Sequence, residues 1–197
     1  MSATPTPGTD LPILAFPDAE AWRVWLDANH SASEGVWIQI AKRQAATASV
    51  TYAEAVDVAI CFGWIDGRKA ALDEEAWLQK FTPRRARSRW SKINRGRAED
   101  LIARGLMSPA GLAEVERAKA DGRWDAAYDS PLTAAVPDDL AAALAADAGA
   151  AEAFARLDGR NRYAILYRIQ DARRPETRAR RIAAFVEMLA DGRTPHR

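Results

Sequence analysis

The spacing of apolar residues changes along the chain, and each change marks a predicted element. In AEAWRVWLDAN (19–29), Trp22, Trp25 and Leu26 fall at i, i+3 and i+4, one face of a helix that Asp18 can cap. After Gly35, Val36, Ile38 and Ile40 alternate with Trp37 and Gln39, a period of two that predicts a strand. Thr51 and Glu54 form a T-x-x-E capping box for the helix YAEAVDVAICF, which Gly63 ends. WIDGRKAALD and WLQKFTP, separated by DEEA, read as an antiparallel pair of strands.

From Ser88 the pattern turns helical. Ser91 is a candidate N-cap for KINRGRAEDLIARG, with Ile93, Leu101 and Ile102 expected to face inward and Gly105 closing the helix. Ser108-Pro109 opens the next, which runs to Gly122. SPLTAAVPDDL reads as a linker. Beyond it, residues 137–191 are rich in alanine and arginine, carry no strand signal, and break into about four short helices. These start at Pro137, near Ala148, at Asp158 and at Pro175, the last stopped by Gly192. The fold class expected is α+β: a small antiparallel sheet packed with helices, then an all-helical C-terminal subdomain. The boundaries are a tail over 1–12, an α+β domain over 13–130 and a helical region over 137–192.

Composition removes several kinds of chemistry. The net charge of +1 gives no global attraction to nucleic acid or membrane. One cysteine, Cys61, excludes an intramolecular disulfide, and two histidines, His30 and His196, make a histidine-rich metal site unexpected. No metal or cofactor is expected. The N-terminus lacks a charged n-region and an apolar h-region, and no window approaches a membrane span, so the expectation is a cytoplasmic protein without membrane insertion.

Local charge changes that picture. No acidic residue interrupts 76–98, which holds Lys80, Arg84, Arg85, Arg87, Arg89, Lys92, Arg95 and Arg97. The other 20 basic residues face 27 acidic ones, so the remainder of the chain is net negative. Arginines bind carboxylate or phosphate bidentately, and Ser88, Ser91 and Asn94 add neutral donors. The candidate ligand site is therefore Trp64, Asp66, Arg84, Arg85, Ser88, Trp90, Ser91 and Asn94, framing a small anionic or polar molecule. The alternative is structural: Asp66 paired with an arginine, the serines capping a helix, and Trp90 in the core. Nucleic acid is disfavoured, because Lys92, Arg95 and Arg97 at i, i+3 and i+5 do not share one helix face.

CFGWIDG (61–67), the segment from FTPRRARSRWSKINRGR (81–97), WLDANH (25–30), GVWIQIAK (35–42) and ETRARRIAAFVEML (176–189) together resemble the YdeI/OmpD-associated, or bacteriocin-protection, family over nearly the whole chain. The resemblance implies a bacterial protein connected with protection against bacteriocins and with an outer-membrane porin. It implies no reaction. Three readings stay open: a stress- or bacteriocin-protection-type protein binding a small ligand; an interaction module docking a protein partner through its C-terminal helices; and an enzyme of unknown reaction in the same pocket, with Asp66 as acid or base.

Overall fold

A computed structural model describes residues 11–196. The chain forms two compact units, one of residues up to Trp90 together with Asn94–Ala126, the other of Ser91–Ile93 together with residues from Ala127 onward.

The first unit is a four-stranded sheet with helices. Its elements are β1 (Ile13–Ala15), α1 (Ala19–Asn29), β2 (Val36–Ala41), α2 (Tyr52–Cys61), β3 (Trp64–Ala71), β4 (Ala76–Pro83), most of α3 (Lys92–Ala103) and α4 (Pro109–Ala120). Strand order is β1-β2-β4-β3, with β2, β4 and β3 antiparallel. β1 is an addition to the sequence reading, a three-residue edge strand parallel to β2. Three residues are too few to show a period. Of the expected tail, residues 1–10 lie outside the described residues, and Pro12 accepts a hydrogen bond from the Trp37 amide at 2.9 Å.

Local chemistry sets the boundaries. Asp18 accepts from the Ala21 amide to start α1, and Thr51 and Glu54 cap α2 reciprocally. Asp73 Oδ1 accepts from the amides of Glu75 and Ala76 at 2.8 and 2.7 Å, which folds the turn between β3 and β4. Gly63 takes φ +73°, where a side chain would be strained, to turn α2 directly into β3.

Paired residues of antiparallel strands share a face. The pairs Val36–Phe81, Ile38–Gln79 and Asp66–Phe81 place these residues on one side of the sheet. Trp22 of α1 covers that side, packing on Phe81 at 5.7 Å and on Trp64 at 6.1 Å between ring centres. Each such ring buries on the order of 150–250 Å². Gln79 is the one buried polar side chain of the strands, and its amide donates to the Gly67 carbonyl at 2.7 Å, where the β3–β4 register slips.

α3 departs from the expected burial. Leu101 is buried, but Ile93 is 50% exposed and Ile102 sits at the surface. The only other buried residue of this helix is Ala98, three residues before Leu101, so its inward stripe is narrow.

The second unit is helical: α5 (Asp138–Ala145), α6 (Ala148–Ala155), α7 (Gly159–Gln170) and α8 (Pro175–Ala190), with the first turn of α3 and the segment from Ala127. Its core is Leu140, Leu144, Phe154, Ile165, Leu166, Ile169, Ile182, Phe185 and Leu189. The apolar residues of α8 form one stripe: Ile182, Phe185 and Leu189 are buried and Val186 packs at the margin. The whole is an α+β protein.

Candidate functional site

The residues expected to frame a ligand divide among several environments. Trp64 is buried in the core, and its indole N–H donates to the His30 carbonyl at 3.2 Å. Asp66, on the sheet face covered by helices, accepts from the Tyr52 hydroxyl of α2 at 2.7 Å. Arg84 is only 5% exposed: its guanidinium lies 3.6 Å from the centre of the Trp90 ring, and Nη1 donates to the Arg89 carbonyl. Trp90 is buried as well, edge-on to Trp124 at 4.9 Å.

Arg85 is exposed, and its amide donates to Ser88 Oγ, a turn closed within the chain. The Ser88 carbonyl accepts from Arg123 Nη1 at 2.8 Å. Arg123 is buried beside Glu114, whose Oε1 lies 3.3 Å from Nη1, and its Nε donates to Asp121. A hydrogen-bonded network thus fixes 84–90 against α4. Ser91 groups with the second unit and bridges Tyr128, whereas Asn94 is half-buried on α3 in the first.

So the structure brings together Arg84 with Trp90 and Arg85 with Ser88, and it turns Asp66 toward Tyr52. The remaining charge of the basic stretch is dispersed. Arg97 pairs with Asp57 at 2.5 Å, Arg95 lies 3.6 Å from Glu99, and Lys92 turns to the second unit. Cys61 is a buried thiol raised above its ordinary pKa by desolvation, an effect that Arg23 at 3.6 Å partly offsets, which leaves it a poor nucleophile.

Within the second unit a cavity of about 410 Å³ has Lys92, Asp129, Thr133, Gln170 and Arg178 among its lining residues. One cation comes from the stretch 80–97 and the other from ETRARR (176–181) at the start of α8. Lys92 is carried by the first turn of α3, whose amide donates to the Tyr128 carbonyl at 2.8 Å. Its ammonium meets Asp129 Oδ1 at 2.7 Å, while Gln170 Nε2 donates to Oδ2 at 2.8 Å. The Asp129 amide donates back to Gln170 Oε1, and the Tyr163 hydroxyl donates to the Asp129 carbonyl. Both oxygens and both backbone groups of Asp129 are thereby engaged.

Arg178, which also lines the cavity, grips Asp139 with Nε and Nη2 at 2.5 and 2.8 Å and donates from Nη1 to the Ile169 carbonyl. Those bonds hold the Asp139 carboxyl below its ordinary pKa and raise that of Arg178. Sequence reading missed Asp129, Thr133 and Gln170 as site residues. Gln170 did leave a trace, a polar position on the otherwise apolar series Tyr163, Leu166, Tyr167 of α7.

Among the described residues no group of three or more His, Cys, Asp or Glu is placed to hold a metal ion, and no helix is long and apolar enough to cross a membrane. No curated protein and no solved structure matches the chain significantly. Two family models do. Residues 14–114 match a domain of unknown function, DUF8412, and residues 133–192 match the domain described as bacteriocin-protection, YdeI or OmpD-associated. The GWID and FTPRR motifs therefore fall within the first model, and the bacteriocin-protection match is confined to the C-terminal helices. The chain belongs to the DUF8412 family, and its residues 133–192 are similar to the domain described as bacteriocin-protection, YdeI or OmpD-associated.

Proposed function

We propose that the protein is a binding protein of the bacteriocin-protection type whose C-terminal domain takes a small anionic or polar molecule in the cavity between Lys92 and Arg178. The observation that carries this reading is that two basic residues distant in sequence, Lys92 and Arg178, line one cavity, each held in place by a carboxylate. An ammonium has three donors, and Asp129 takes one of them. The guanidinium of Arg178 is fixed by Asp139 and the Ile169 carbonyl, so its position costs little to organise when a ligand arrives. The cavity is of the size that small-molecule sites occupy.

This reading replaces the site expected around Arg84 with one that takes only Lys92 from the basic stretch 80–97, and the reason is burial. Trp64, Arg84 and Trp90 are covered by protein, so a ligand reaching them would have to open the core. The test is a thermal-shift screen of small carboxylates and phosphates. A ligand at a hundredfold excess over its Kd stabilises by about 2.7 kcal/mol, roughly 5 °C or more for a chain of this size. The wild type should show such a shift with at least one compound, and Lys92→Gln should lose most of it. If nothing in the panel shifts the wild type, or Lys92→Gln responds equally, the reading is wrong.

A further inference from the structure

A second cavity, of about 540 Å³, runs along α7 on the side that carries Tyr163 and Tyr167, with Arg160, Arg168, Pro131 and His196 also lining it. It shares none of these residues with the Lys92–Arg178 cavity. Its aromatic wall is already fixed. Tyr128 meets Tyr167 edge-on at 5.3 Å, Tyr163 packs on Tyr167 at 5.8 Å, and the Tyr163 hydroxyl is anchored on the Asp129 carbonyl at 2.8 Å. Rings held this way lose little rotamer freedom on binding, and tyrosine is enriched where proteins dock. Next to Pro131, the turn closed by the Ser130 amide and Thr133 Oγ1 displays Leu132, which is 97% exposed. A leucine held in water beside an aromatic groove adds apolar docking area.

Charge identifies the occupant. Arg160 and Arg168 are exposed, and neither makes a salt bridge or a side-chain hydrogen bond among the described residues, although the charge of Arg160 is near enough to Asp158 to help lower that carboxyl's pKa. Arg156, Arg178, Arg181 and Arg193 of the same unit each pair with an acid, and the exposed Arg173, Arg174 and Arg180, which like Arg160 and Arg168 have no salt bridge among the described residues, do not line this groove. We propose that this groove docks an acidic polypeptide segment of a partner protein, with an aromatic or leucine side chain seated against Tyr163 and Tyr167 and flanking carboxylates on Arg160 and Arg168. Eight residues of helix separate the two arginines by about 12 Å. An extended chain covers that span in about four residues, so the recognised pattern is acid, a short apolar-containing spacer, then acid. Planar guanidinium groups favour carboxylates bidentately, and steering by two of them speeds encounter.

The test is selection of random dodecapeptides displayed on phage against the full chain, followed by fluorescence anisotropy of the most enriched peptide made synthetically. The expected result is enrichment of peptides with two acidic residues about four positions apart around an aromatic residue or leucine. Arg160→Glu/Arg168→Glu should weaken the synthetic peptide tenfold or more and Arg160→Gln/Arg168→Gln by less, both variants keeping the wild-type melting temperature. Lys92→Gln should bind it unchanged, which separates this site from the small-molecule cavity. Failure to enrich over an unrelated helical protein, enrichment without acids, or full binding by the charge-reversed variant would each overturn the proposal.

Discussion

Gly111 sets how closely α4 approaches α2. A Cβ there would sit 2.1 Å from the Cys61 carbonyl oxygen, a backbone atom that cannot step aside. The same carbonyl accepts from the amide and the hydroxyl of Ser108, at 3.0 and 2.7 Å, so one helix start is pinned to the end of another. Gly111→Ala should therefore cost about 3 kcal/mol or more, read by urea unfolding, since overpacking against backbone must displace the helix. Gly96, inside α3, has nothing within 4 Å of its would-be Cβ, and Gly96→Ala should stabilise by about 0.5–1 kcal/mol. Equal effects at the two positions would contradict this packing.

Asp139 gives a pH-dependent counterpart. Its carboxyl is depressed mainly by the Arg178 hydrogen bonds and also by the Leu140 amide. A depressed carboxyl contributes stability above its unfolded pKa, about 3.9, and loses it as pH falls through the folded value. The difference in unfolding free energy between wild type and Asp139→Asn should be largest near pH 7 and shrink toward pH 3. A difference that stays constant over that range would mean that the Arg178 pair carries no net stabilisation.

Among elements, those with local signals were legible in the sequence. α2 was readable because Thr51 and Glu54 satisfy each other's backbone and side-chain groups within one turn, which also lowers the Glu54 carboxyl. Thr51→Ala should cost about 1 kcal/mol by chemical denaturation, and no loss would show that tertiary packing alone holds this helix start. α4 and α8 were likewise marked by Pro109 and Pro175 at their first turns. The exposed Ile93 and Ile102 were not legible, because apolar spacing shows which residues can share a face and not which face finds a partner. β1 was hidden for a related reason: its three residues form a strand only through pairing with β2.

At the scale of the molecule, the candidate site was legible only as chemistry. An arginine-rich stretch pointed to cations, yet Arg84 spends its charge on Trp90 and Arg97 on Asp57. Lys92 and Arg178 line one cavity only because the chain from Ala127 onward folds with the first turn of α3, a relation that no local pattern encodes. The family matches divide near the same place, with residues 14–114 under one description and 133–192 under the other. Ligand binding is expected in the Lys92–Arg178 cavity and not at the segment around Arg84 and Arg85. Isothermal titration calorimetry of the strongest compound from the thermal-shift screen, against wild type, Lys92→Gln, Arg178→Gln and Arg85→Gln, tests it directly. Lys92→Gln and Arg178→Gln should each lose at least tenfold in affinity, and Arg85→Gln should keep wild-type affinity. Loss confined to Arg85→Gln would contradict that placement.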